Sequence, residues 1–220
     1  MKKMTNQWHE IFSPTILETY VPQRFIDIVN EVGDDVLSDS NKSAQWDFSE
    51  KLVGKVSAEI QIPITDKNTK KYLADTMKKG CLEYLNKMIE FKRAYGWNKI
   101  SSKSPSIDNI HISQSWIVSQ YAGEYNPWHK HSGDFSAVIY LKLPDGMEGE
   151  YKKDEEDHYP SNGLIEFMYG EAQDFRSDGV KFKPEIGKFL VFPSYLKHFV
   201  YPFNVQGERR SMSFNAYMKA

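Results

Sequence analysis

The stretch Asn126–Pro144, NPWHKHSGDFSAVIYLKLP, sets His129 and His131 two positions apart at the mouth of an alternating apolar run. In an extended chain, residues i and i+2 project to the same face. Both imidazoles therefore point into one space, as two ligands of a single metal ion must. A third histidine, His198, lies far downstream at the head of HFVYPF. Neutral imidazole is a common metal ligand. On spacing alone, three structural histidines at strand edges remain the plainer alternative. His9, His111 and His158 have no such partners and read as surface or packing residues. A second polar set follows in GERRSMSFN, Gly207–Asn215. Alternation puts Arg209, Ser211, Ser213 and Asn215 on one face, and Arg210, Met212 and Phe214 on the other. A polar strand face is cheap only where it meets water, a ligand or hydrogen-bond partners. An arginine with a serine two residues on, both facing a pocket, makes a carboxylate clamp: the guanidinium binds two oxygens and the hydroxyl adds a third bond. A solvated arginine pair on an exposed edge strand is the alternative.

These residues need strands to position them. After Asn109 the chain reads as short strands: IHISQSWIVSQY, FSAVIYLKL, GLIEFM, GVKFKP, GKFLVFP, HFVYPF and RRSMSFNAYM, separated by Gly, Pro, Asn and Asp. Strands so closely spaced, with no helix between them, argue for a β-sandwich or barrel. The first third reads mainly as helix. Phe25, Ile28, Val29, Val32 and Val36 recur at helical steps behind Pro22. Leu73, Met77, Cys81, Tyr84, Leu85, Met88 and Tyr95 form the stripe of a second, lysine-faced helix that is expected to stop at Gly96. Both helices are expected to cover the outer face of one sheet. The acidic segment 145–162, DGMEGEYKKDEEDHYPSN, reads either as a solvated loop or as a lid over a site. Of the remaining rings, Trp116, Tyr125 and Trp128 are candidates for a pocket lining, with core packing as the alternative.

Composition narrows the partners. The chain has 220 residues, with 40% apolar, 14% aromatic and 26% charged. That suits a single domain over 1–220 with a substantial aromatic core. The helical region spans 1–100 and the strand-rich core 107–217. A net charge of −2 gives no general attraction to nucleic acid or anionic membranes. Cys81 is the single cysteine, so an intrachain disulfide is excluded, and it reads as a core residue. MKKMTNQWHEIF carries no apolar stretch behind its lysines and is not expected to be a secretion signal. No run approaches the roughly 18 apolar residues of a membrane helix. A cytoplasmic address is expected.

The flanks of the histidines add a resemblance. Gly123 precedes His129 with five residues between, Gly187 precedes Pro193 with five residues between, and His198 comes five after that proline. Both spacings resemble the metal motifs of cupin-like double-stranded β-helix proteins, whose two four-stranded sheets enclose a pocket. The cupin glutamate after H-x-H is absent, and Tyr195 stands where the second motif has Gly. With GERRSMSFN added, the segments SWIVSQYAGEYNPWHKHSGDFSAVIYLKLP and GKFLVFPSYLKHFVYPF resemble the iron(II)/2-oxoglutarate-dependent dioxygenases. The likeness is to small oxygenases of bacteria and their phages near the prolyl-hydroxylase-like branch. It covers most of residues 110–217.

The resemblance implies a fold, a jelly-roll double-stranded β-helix with N-terminal helices packed on one sheet. It also implies Fe(II), 2-oxoglutarate and O2. Carried over residue by residue, His129 and His198 are iron ligands, Arg209 with Ser211 clamps the far carboxylate of 2-oxoglutarate, and Tyr121 borders that co-substrate. Where the superfamily usually has a carboxylate as second ligand, this chain has His131; Asp134 is the alternative. The implied reaction is hydroxylation of an unactivated C–H of a peptidyl or small-molecule substrate, with release of succinate and CO2. If the chain is phage-encoded, the host cytoplasm is its place of action. Two other readings stay open: a cupin-type metalloenzyme that does not use 2-oxoglutarate, and a non-catalytic jelly-roll binding module.

Overall fold

The computed structural model describes residues 14–152, 160–175 and 177–220. Among these, two antiparallel sheets oppose one another. The major sheet contains β1 (Leu17–Tyr20), β2 (Ala58–Gln61), β3 (Ile110–Gln120), β5 (Phe135–Lys142), β8 (Lys188–Pro193) and β10 (Arg209–Met218), in the order β1-β8-β5-β10-β3-β2. The minor sheet contains β4 (Asn126–His129), β6 (Ile165–Met168), β7 (Gly179–Phe182) and β9 (Lys197–Val200), in the order β4-β9-β6-β7. From β3 to β10 the chain changes sheet at each step except the β6–β7 pairing. That alternation wraps the strands into a double-stranded β-helix.

Strand parity explains why the major sheet is apolar on both faces. On β5, Ala137, Ile139 and Leu141 pack outward with the helices, whereas Val138 and Tyr140 pack inward. On β8, Phe189 and Val191 face out, and Leu190 and Phe192 face in. The inward set meets Ile165 and Phe167 of the minor sheet. The outward set is covered by α1 (Gln23–Leu37) and α3 (Lys67–Glu90), which bury Phe25, Ile26, Val29, Leu73, Met77 and Cys81 against it. Burial also raises the Cys81 thiol, which keeps it protonated and inert. Asp66 starts α3 by accepting the Thr69 N–H at 2.7 Å.

All seven strands expected after Asn109 are present. The first third differs from the expectation in two ways. It contributes β1 and β2, which extend the major sheet at opposite edges. Both are four residues long and lie among helical segments, away from the run of closely spaced strands that makes the equally short β6, β7 and β9 legible. The long helix stops at Glu90, not at Gly96. Lys92 takes φ 56°, and the Lys92 and Arg93 N–H groups return to the Ile89 and Met88 carbonyls in a Schellman closure. Gly96 instead lies inside a separate short helix, α4 (Tyr95–Ile100), and Tyr95 is exposed outside the α3 stripe. Residues 153–159 of the acidic segment, including Asp154–Asp157, lie outside the described residues. No helix of the described residues is long and apolar enough to cross a membrane.

Candidate metal and co-substrate site

The minor sheet brings two of the histidines face to face. β4 pairs antiparallel with β9, and His129 is the register partner of His198. His131 lies just beyond β4, held by its backbone N–H on the Ser194 carbonyl at 2.9 Å. Gly133 then turns the chain at φ 109°, where a Cβ would sit 2.9 Å from the Ala216 carbonyl oxygen. One ring nitrogen from each histidine lies within 4.8 Å of the others. The ring centroids of His129 and His198 are 4.2 Å apart, and His131 lies 4.9 and 5.2 Å from them.

Hydrogen bonding sets the tautomers. His129 Nδ1 lies 2.6 Å from the Pro127 carbonyl oxygen, and His198 Nδ1 lies 3.0 Å from that of Leu196. A carbonyl only accepts, so Nδ1 carries the proton in both rings. Each Nε2 is left with a free lone pair, the form a metal requires. All three rings resist protonation. Burial is the main cause throughout, and it lowers His131 to about 4, with His129 adding to the effect. His129 and His198 are lowered too, although the Pro127 and Leu196 carbonyls partly oppose this. Three neutral imidazoles aimed at one point suit a divalent cation. Asp134 does not join them: its carboxylate accepts the Met218 N–H at 2.8 Å.

The same cavity is lined by Arg209, Ser211 and Ser213, the polar face of β10. Asn215 completes that face but is tied to the Ser136 hydroxyl at 2.8 Å. The Arg209 guanidinium is buried, which pulls it below its ordinary pKa. Its partners are neutral: the Gly163 carbonyl at 2.5 Å and the Gln120 side-chain oxygen. Among the described residues no carboxylate forms an ion pair with it. The neighbouring Arg210 is its opposite. It faces the helices and is paired with Glu208 at 2.7 Å and Asp34 at 2.8 Å. A buried guanidinium without an acid, opening on a cavity, is a site for an anion.

Residues 114–215 match the model of a family described as "Putative 2OG-Fe(II) oxygenase". That match, over the segment that holds the three histidines and Arg209, supports a member of the 2OG-Fe(II) oxygenase superfamily. No curated protein matches it. Solved structures share the fold at low identity. A prolyl hydroxylase from Trichoplax adhaerens, solved with a hypoxia-inducible-factor peptide, is 15% identical, covering 91% of this chain and 81% of its own, with a TM-score of 0.50. AviO1 from Streptomyces viridochromogenes Tue57 is 12% identical, covering 93% and 90%, at 0.55. SnoK, a non-heme α-ketoglutarate-dependent carbocyclase of nogalamycin biosynthesis, is 10% identical, covering 94% and 80%, at 0.55.

The family match supports a dioxygenase, and the family implies Fe(II), 2-oxoglutarate and O2. The donor set fits these groups: three neutral imidazoles for the cation and one acid-free guanidinium for the co-substrate anion. Tyr121, expected at the co-substrate, is not among the cavity residues and is 43% exposed. Tyr140 lines the cavity instead, within electrostatic reach of Arg209, and burial pushes its hydroxyl up to about 12. Its signal in the sequence was its parity on β5. Tyr151, also near Arg209, has a buried hydroxyl that finds no hydrogen-bond partner among the described residues. Of the candidate rings, Trp116 lines the cavity, whereas Tyr125 and Trp128 pack on Phe199 and are partly exposed.

Proposed function

We propose that this oxygenase hydroxylates an unactivated C–H of a peptidyl or small-molecule substrate, with His129, His131 and His198 holding Fe(II) and Arg209 and Ser211 holding the far carboxylate of 2-oxoglutarate. We read residues 1–220 as one catalytic domain in which the helical region backs the barrel. The observation that carries the reading is the acid-free Arg209, opening on the cavity into which the three imidazoles converge. When bound, iron with 2-oxoglutarate and O2 supplies the oxidising power for C–H hydroxylation, releasing succinate and CO2. The chain's own residues orient and exclude. The Pro127 and Leu196 carbonyls fix the ligand tautomers. Gln120 and the Gly163 carbonyl aim the guanidinium. Trp116, Val138, Ile165 and Phe192 form apolar walls that keep stray water out.

The fold is shared by a prolyl hydroxylase and a carbocyclase, so it does not choose the substrate. Anaerobic titration of the purified protein with Fe(II) and 2-oxoglutarate tests the reading. A weak visible charge-transfer band should grow to one equivalent, and admitting O2 should release succinate. If Fe(II) binds with no band and no succinate forms, the protein is a metal site without 2-oxoglutarate chemistry. If no Fe(II) binds at all, the metal assignment is lost as well.

A further inference from the structure

The cavity contains an acid that neither the metal nor the co-substrate assignment uses. Glu59 lies on β2 opposite Val118 of β3. Directly paired residues project to the same face of a sheet, and Val118 belongs to the inward set with Trp116. Glu59 therefore points into the barrel, and it lines the same cavity as the three histidines and Arg209. The residue is only 5% exposed. Its hydrogen-bond partner is the side chain of Asn126 at the start of β4, which donates to the Val53 carbonyl at 2.7 Å as well. Among the described residues no lysine or arginine forms an ion pair with it.

A carboxylate taken out of water at this depth is costly unless a cation or several donors compensate. Here the compensation is one neutral amide. Burial accordingly raises its pKa to about 7, with Asp47 adding a like charge. A protein that needed only a neutral polar wall would be served at lower cost by glutamine. The two lysines that also line the cavity, Lys51 and Lys130, are solvent-exposed. Salt and water screen exposed charges far more than buried ones. Among the described residues that line the cavity, Glu59 is the one acid, and the exposed lysines offset it only weakly.

We propose that Glu59, held by Asn126 on the cavity wall, selects a substrate group that carries a positive charge, a protonated amine or a guanidinium. The proposal rests on the oxygenase reading above and narrows it. Charge counting supports it. Three neutral ligands leave Fe(II) and the 2-oxoglutarate dianion balanced, and Arg209 then makes the site net positive. A cationic substrate would be repelled unless a carboxylate stood on its own side of the cavity.

Matched probes test this: N-acetyl-arginine methylamide against its citrulline counterpart, and N-acetyl-lysine methylamide against its norleucine counterpart. Within each pair the shape is similar and the charge differs. Binding is read at pH 8 by tryptophan fluorescence, on the anaerobic Fe(II)–2-oxoglutarate protein and on the metal-free protein. Wild-type protein should bind at least one cationic member about tenfold more tightly than its neutral partner, and Glu59→Gln should reduce that ratio to about twofold or less. Equal binding within both pairs, no binding by either cation, or a preference that survives in Glu59→Gln overturns the proposal. Because the wild-type comparison stands alone, a variant that fails to fold does not protect the idea. Failure of the charge-transfer band sinks the oxygenase reading separately, since the metal-free arm scores Glu59 without it.

Discussion

Arg209 and Arg210 are adjacent in sequence, chemically identical, and opposite in circumstance. Arg210 is neutralised by Glu208 and Asp34, and burial of Glu208 is overcome by Arg210, Ser119 and Lys142, which together hold its carboxyl below the usual range. Arg209 has a carbonyl and an amide oxygen, and no acid among the described residues. The two alanine variants should therefore diverge. Arg210→Ala breaks a buried pair, which typically costs about 3–5 kcal/mol, and should lower stability in urea unfolding. Arg209→Ala should leave stability nearly unchanged but weaken 2-oxoglutarate binding on the order of tenfold to a hundredfold, the worth of one or two charge-assisted hydrogen bonds. If titration calorimetry gave Arg209→Ala the wild-type affinity, the clamp assignment would go. His198→Ala removes the most buried of the three proposed ligands and should abolish stoichiometric iron, measured on the protein after desalting; full retention would reject it as a ligand. Residue identity and spacing made the histidines and Arg209 legible in the sequence. Glu59 was not, because nothing in AEIQ distinguishes an acid facing a cavity from one facing water.

At the scale of elements, legibility followed length and contrast. β3, β5, β8 and β10 could be read because their alternation or apolar runs exceed what chance supplies. β6, β7 and β9, at four residues each, could be read from the closely spaced strands around them, whereas the equally short β1, β2 and β4 gain their identity only from a neighbouring strand. The α3 terminus was misplaced because its stop is a lysine in the left-handed region, whereas the sequence offers Gly96 a few residues on. The packing of α3 on the sheet turns on a different glycine. Gly80 lies in the helix interior, and a Cβ there would run into the ring of Phe189 on β8. Two effects of Gly80→Ala oppose each other. Helix propensity favours alanine by about 1 kcal/mol. Overpacking a buried contact costs about 1–3 kcal/mol, and an aromatic ring wedged in a core has little room to yield. Packing should win, so Gly80→Ala should lower the unfolding midpoint; a raised midpoint would mean that α3 floats on the sheet instead of docking against it.

Across the whole molecule, the jelly roll gathers titratable groups from distant segments into one buried place, and stability should record it. Two opposed trends are expected in metal-free protein. The histidines are held neutral in the fold, with His131 at about 4, whereas in the unfolded chain they take up protons near 6.5. Between those values the unfolded state binds more protons, so stability rises with pH and is lost on acidification. Glu59 runs the other way. Its folded value of about 7 lies above the ordinary 4.5, so in that window the native state keeps a proton that the unfolded chain has released. Its contribution is fully present below 4.5 and is lost as pH rises toward 7. The carboxylates held below their usual range titrate further to the acid side and are flat above pH 5. Comparing wild-type and Glu59→Gln proteins by urea unfolding from pH 5 to 7 therefore isolates this one acid. Both should gain stability with pH from the histidines, and the variant should gain more. At about 1.4 kcal/mol per pH unit, the gap should widen by about 2 kcal/mol across the range. Parallel curves would mean that Glu59 ionises as freely in the barrel as in water, and that its burial exerts no pull on an incoming cation.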